Sequence, residues 1–239
     1  MAGHSKWANI KYRKGKADAK KGKVFSRLAK EIISAVKQGG PDPKSNTKLR
    51  LVIQKAKVAN FPSDNVERNI KKASSSDQAD FQEVTYELYG HGGVGIIVDA
   101  MTDNKNRTAS DMRIATNKKG GTIASPGSVA FNFDRKGVIQ VAKDQAVEEE
   151  LFLQATDAGA DDFDVTDEAY IIVTPPDKLY EVKEKLESAG TPTVEVSLEM
   201  IPKNSVACDE ETKHANQELL DWLENLDDVD AVFHNMEES

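Results

Sequence analysis

Ten basic side chains fall between Gly3 and Lys30: Lys6, Lys11, Arg13, Lys14, Lys16, Lys20, Lys21, Lys23, Arg27 and Lys30, against one acid, Asp18. His4, Trp7 and Tyr12 stand among them. Cations at this density repel one another in isolation and are satisfied by a polyanion. Interleaved aromatic rings add faces on which bases can stack. The chemistry of such a stretch is binding, in which phosphate contacts supply affinity and salt dependence but little sequence choice. Trp7 and Tyr12 lean the arm toward unpaired RNA bases or a ribosomal surface. The alternative for Trp7 is an anchor that pins the arm to the segment after it.

A second set follows at helical spacing. Asn65, Arg68, Asn69 and Lys72 share the face opposite Val66 and Ile70, and these residue types can contact phosphates or base edges. The helix that carries them follows another across the short turn Asn60–Ser63, as in a helix-turn-helix. An ordinary helical hairpin with a solvated polar face fits the same pattern.

Other constellations are weaker. Gly90, Gly92 and Gly95 satisfy G-x-G-x-x-G, but a strand follows them where a dinucleotide site needs a helix N-terminus, so a hairpin turn is expected. Asp161, Asp162, Asp164, Asp167 and Glu168 lack the alternation, central glycine and terminal glutamate of a calcium loop, and read as a solvated strand edge. His4, His91, His214 and His234 are scattered, and no flanking motif pairs one with the lone Cys208. No enzyme, metal site or cofactor is expected.

The elements that must position the basic residues emerge from charge and periodicity. The 239 residues carry a net charge of −8, unevenly spread. Residues 1–78 hold 19 Lys/Arg and 6 Asp/Glu, which leaves 13 and 34 for the rest, so +13 is joined to −21. That asymmetry suits a nucleic-acid-binding module attached to acidic domains. A basic half that packs against the acidic half is the alternative. With one cysteine, no intrachain disulfide forms, which suits a reducing compartment. No apolar stretch reads as a signal peptide or membrane span.

Apolar spacing predicts helices over 23–38, about 47–59 (capped by Asn46 or Thr47) and 63–73 (capped by Ser63). A hairpin (84–89 and 94–100), a helix over 104–119 capped by Thr102 or Asp103, and a strand over 129–133 follow. From 137 to 199 the order is strand, helix, strand, strand, helix, strand, the split-βαβ ferredoxin-like plan. A helix over 210–226 and a strand over 229–234 are expected to fold back onto the middle hairpin. The expected class is α+β in three domains. These are a basic three-helix domain with its arm (1–78), a discontinuous mixed α/β domain (79–134 and 204–239) and an inserted ferredoxin-like domain (135–203).

The wording of several segments resembles the YebC/PmpR family. These are Ala2–Trp7, Asn9–Lys11 with Arg13-Lys14, Asp18–Lys23, Asn65–Arg68, Tyr89-Gly90 with Gly92–Val94, and Thr102–Thr108. Lys119–Gly121, Gly127–Val129 and Phe133–Gly137 extend the match over nearly the whole chain. Ala8 and His91 depart from the family pattern, which often has histidine and proline there. The resemblance implies a three-domain, cytoplasmic protein with a helical N-terminal domain, described as a DNA-binding transcriptional regulator. A competing family description is a ribosome-associated translation factor that relieves stalling, and mitochondrial members activate translation of a cytochrome oxidase subunit. The expectation is therefore a non-enzymatic regulator whose partner is nucleic acid: DNA, or alternatively ribosomal or transfer RNA. The expected contacts are His4, Lys6, Trp7, Lys11, Arg13, Lys14, Lys16, Lys20, Lys21, Lys23, Asn65, Arg68, Asn69 and Lys72.

Overall fold

A computed structural model describes the backbone of residues 17–74 and 80–237, with side chains from residue 22 onward. The described residues form two compact units, one of 17–130 with 206–236 and one of 131–205 with Glu237.

The first unit opens with α1 (Ala17–Gly39), α2 (Thr47–Val58) and α3 (Ser63–Ala73). Leu28, Ile32, Ala35 and Val36 recur on one face of α1 and meet Leu49, Val52 and Ala56 of α2 and Ala73 of α3 in a single core. Asn46 caps α2, accepting from the Leu49 N–H at 3.0 Å, while its amide donates to the carbonyls of Ala35 and Gly40. Ser63 does not cap α3. It is the first helical residue, and the Pro62 carbonyl takes the N–H groups of Asn65 and Val66.

The sheet of this unit is built from β1 (Gln82–Tyr89), β2 (Gly95–Thr102), β3 (Thr122–Ile123) and β8 (Val229–His234), in the order β3-β1-β2-β8. All neighbours run antiparallel. Alternation sends Leu88, Ile96, Val98 and Val232 to one face. There they pack on Met112 and Ala115 of α4 (Lys105–Lys119) and on Leu219 and Leu223 of α7 (Glu210–Glu224). The cap of α4 is Asn104, one residue beyond the expected ones, accepting from Arg107 N–H.

The glycine-rich stretch is a turn between β1 and β2. Residues His91–Gly93 make one 3-10 turn with Gly92 at φ 66°. A Cβ on Gly90 would lie 2.3 Å from Oδ1 of Asn216, so glycine is required for this approach. Asn216 Oδ1 accepts the His91 N–H, and its Nδ2 donates to the His91 carbonyl. The His91 ring donates from Nε2 to the Lys119 carbonyl at 2.8 Å, tying the turn to the end of α4.

The strand expected over 129–133 is absent. Buried Glu87 on β1 accepts the N–H groups of Gly127, Val129 and Ala130 at 2.6, 2.7 and 2.8 Å, and Ala130–Asn132 form a 3-10 turn. Donors that converge on a carboxylate cannot also serve a strand ladder.

The second unit contains β4 (Phe133–Ala142), α5 (Glu148–Ala158), β5 (Asp162–Val165), β6 (Ala169–Thr174), α6 (Leu179–Ser188) and β7 (Glu195–Pro202). Its antiparallel sheet has the order β5-β6-β4-β7. Ile139, Val141, Tyr170 and Ile172 face a core shared with Leu151, Leu179 and Leu186 of the helices. Val138, Ile171, Val173 and Ile201 on the other face are also buried, so β6 is buried along its whole length and apolar up to Thr174. The chain is thus mixed α and β with two antiparallel sheets. Among the described residues, no helix is long and apolar enough to cross a membrane.

Three backbone donors hold Glu87 below its ordinary value of 4.5, against the burial that acts to raise it. Its contribution is therefore complete above that value and lost as pH falls through its depressed folded pKa. Replacing it by Gln should cost about 2–3 kcal/mol at pH 7, because backbone donors lose an anionic acceptor. The difference between E87Q and wild type in urea unfolding should shrink toward pH 3; an unchanged gap would contradict the assignment.

Candidate nucleic-acid interface

Of the expected contacts, His4, Lys6, Trp7, Lys11, Arg13, Lys14 and Lys16 lie outside the described residues, as do the side chains of Lys20 and Lys21, whose backbone belongs to α1. Lys23 is turned inward. Its ammonium donates to the carbonyls of Glu224 and Leu226, at and just past the end of α7. Helix C-termini leave such carbonyls without intrahelical donors, so a lysine there is favourable.

The next cations on α1 do the same kind of work. Arg27 lies 3.6 Å from Asp230 and bonds Glu31 at 2.8 Å. Lys30 donates to the carbonyls of Met101 and Asp227 and sits 3.6 Å from Asp228. Buried Glu31 also takes Lys55 of α2 at 3.0 Å. Burial acts against its charge, yet Lys55 and Arg27 hold it below the usual carboxylate range. The alternative raised by the charge asymmetry is thus realised for α1, whose cations Lys23, Arg27 and Lys30 pack against acidic residues of the same unit.

Asp228 is the centre of that contact. It accepts from Thr102 and Thr108 hydroxyls at 3.0 and 2.9 Å and from Arg107 at 2.8 Å. Burial works to raise its pKa, and these donors bring it below the ordinary value. Arg107 also pairs with Asp103, so much of the Thr102–Thr108 signature is an anion cage at the start of α4.

Several outward-facing cations lie on α2 and α3. On α3, Arg68 and Lys72 are exposed one turn apart, and Asn65 and Asn69 are half-buried. Asn69 Nδ2 donates to the Asn65 carbonyl at 2.8 Å, which commits its amide to its own helix. The structure therefore brings Asn65, Arg68, Asn69 and Lys72 together on α3 but turns Lys23 elsewhere. Arg50, Lys57 and Lys71 are exposed too, and with Arg68 they have no carboxylate partner among the described residues. Sequence reasoning missed these three. The signal was present, because Arg50, Gln54 and Lys57 recur at helical spacing opposite Leu49, Val52 and Ala56. Helices α2 and α3 each pack chiefly on α1 and touch one another little.

Asp230 behaves differently from its neighbours. Burial raises it to about 6, while Arg27 and Lys30 work to lower it and Glu31 and Asp99 add to the rise. A folded pKa above the unfolded 3.8 means stability is greatest below that value and is lost as pH rises toward about 6. Asp230→Asn should therefore stabilise the protein by roughly 1–3 kcal/mol above pH 6 and by nothing below pH 4. Denaturant midpoints across pH 4–8 test this; a destabilised D230N at pH 7 would show that the Arg27 pair outweighs burial.

Comparison with known proteins places this geometry. Residues 5–76 match the family model described as the TACO1/YebC protein N-terminal domain, and residues 81–236 match the TACO1/YebC second and third domain. A protein of Protochlamydia amoebophila named "Probable transcriptional regulatory protein" is 65% identical over 99% of this chain and 96% of its own length. A similarly named protein of Chlamydia pneumoniae is 61% identical over 99% of this chain and all of its own. The crystal structure of a conserved hypothetical protein from Aquifex aeolicus superposes with a TM-score of 0.79 at 45% identity, covering 92% of this chain and 91% of that one. From its N-terminal helices to β8, the chain belongs to the TACO1/YebC family.

Proposed function

We propose that the protein is a non-enzymatic, nucleic-acid-binding regulator of gene expression that acts in the cytoplasm. The observation that carries this reading is the division of labour among its cations. Lys23, Arg27, Lys30 and Lys55 are absorbed by carbonyls and carboxylates of the fold. Arg50, Lys57, Arg68 and Lys71 stay exposed on the same helical cluster with no carboxylate partner among the described residues. Cations left so, in a chain whose sequence also carries the basic run of residues 6–21, suit phosphate contacts.

The DNA reading draws on the names of the relatives, which are called transcriptional regulatory proteins. It also draws on the α2–turn–α3 order, with Arg68 and Lys72 outward on α3. A second reading, a ribosome-associated factor that binds ribosomal or transfer RNA and relieves stalled translation, is favoured by the Asn69 bond to Asn65. That bond withdraws a base-reading amide and leaves α3 with cations that hold phosphates without reading sequence. We also infer three domains with the boundaries 1–78, 79–134 with 204–239, and 135–203, the last ferredoxin-like. The sheet order β5-β6-β4-β7 supports the ferredoxin-like assignment.

Crosslinking in cells followed by sequencing of the bound nucleic acid tests the class. Discrete promoter peaks would sink the translation reading, and recovery of mainly ribosomal and transfer RNA would sink the transcription reading. In vitro, the R50A/K57A/R68A/K71A variant should flatten the log–log salt dependence of binding by about 0.7–0.9 for each phosphate that the variant no longer holds. An unaltered slope would remove α2 and α3 from the interface.

A further inference from the structure

The helix α4 belongs to a part of the chain with a net charge of −21, yet it carries Lys105, Arg107, Arg113, Lys118 and Lys119 against Asp111 alone. Its inner face is settled by Thr108, Met112, Ala115 and Thr116, all buried. Its outer face is not explained by stability. Asn106, Ser110 and Asn117 form an exposed ridge opposite that inner face, about 16 Å long at 1.5 Å per residue. Asn and Ser are poor helix formers, because their side chains compete for backbone groups. Here none of the three makes a side-chain hydrogen bond to another described residue, so the fold gains nothing visible from them.

Cations flank the ridge. Arg113 stands on one side, exposed and without a carboxylate partner among the described residues. Lys118 stands on the other, exposed, with its ammonium 5.9 Å from the Trp222 ring centroid. Ile114, 44% exposed, lies beside the ridge on the Lys118 side. Lys119 is excluded, since Glu218 of α7 takes it at 3.3 Å.

We propose that this face of α4 is a second nucleic-acid contact that lies across the minor groove of double-stranded RNA; the proposal rests on the nucleic-acid-binding reading above. The choice of groove follows from how α4 is set in the fold. It is sunk against the sheet with α7 packed beside it. A DNA major groove about 8.5 Å deep demands a helix that projects, and a helix is only about 10–12 Å across. A helix embedded in a layer offers only its upper ridge. The A-form RNA minor groove is wide and shallow and displays 2′-hydroxyls, which short amides and hydroxyls can bond while flanking cations meet the phosphates. The acidic α7 alongside confines the contact to this ridge.

The test titrates the full chain onto a labelled RNA duplex of about 20 base pairs, somewhat longer than the roughly 16 that a shape-reading RNA domain covers. A DNA duplex of the same sequence is run in parallel. R113Q/K118Q should weaken RNA-duplex binding at least about fivefold and flatten its salt slope by about 1–2 log–log units. N106A/N117A should weaken the RNA duplex and leave the DNA duplex unchanged. All four side chains are exposed, and thermal melts confirm that each variant is folded. RNA-duplex binding at wild-type strength in both variants overturns the proposal, while weakened binding in R50A/K57A/R68A/K71A keeps the broader reading. Equal weakening on DNA and RNA overturns the assignment of groove. A wild-type chain that binds no nucleic acid overturns both.

Discussion

The structure of the first unit depends on how one basic helix meets one acidic corner. Along α1, Lys23, Arg27 and Lys30 project at intervals of four and three, and each finds an oxygen: the end of α7, Asp230 and the Asp227–Asp228 turn. The contact joins two kinds of incompleteness. Helix α7 ends with carbonyls that lack donors, and α1 carries cations that its own core cannot use. Exposed ion pairs are worth little, but the Asp228 and Asp230 side chains are only 10% and 9% exposed, and several donors share Asp228. The helical cluster and the sheet therefore share one compact unit even though their apolar cores are separate.

Two buried carboxylates organise what surrounds this contact, and they account for signature residues that invite a functional reading. Asp228 gathers Thr102, Arg107 and Thr108 at the start of α4. Glu87 gathers the backbone of Gly127, Val129 and Ala130. A carboxylate buried with this many donors is satisfied, and removing it would strand them. The segments Thr102–Thr108 and Gly127–Val129 thus serve the fold directly. Asn106 differs from its neighbours in the first segment: it is exposed on the ridge of α4 and makes no side-chain hydrogen bond to a described residue.

Much of this is legible in the order of residues. The apolar repeat of Leu28, Ile32 and Val36 shows the inner face of α1, and Gly90–Gly93 between an alternating strand and an apolar one shows a turn. The β-branched residues Val138, Ile139 and Val141 and the apolar run at 169–173 show strands. The failures have local physical causes. The strand expected over 129–133 does not form because Glu87, more than forty residues away, captures the donors a ladder would use. Ser63 is no cap because Pro62 already occupies that position. Lys23 groups with its basic neighbours in sequence because charge density carries no direction. The ridge on α4 is hidden because the acidic composition around it averages its cations away.

By itself the sequence determined the period of most elements, the glycine turns, the asymmetry of charge and the family. These depend on residues within a turn or two of one another, where spacing is enough. Only the tertiary structure decided which cations face solvent and which are absorbed, because that depends on partners such as Glu224, Asp228 and Asp230, some two hundred residues from the lysines and the arginine they hold. Burial decides whether a charge is available to a ligand or consumed by the fold, and burial is set by packing across the chain.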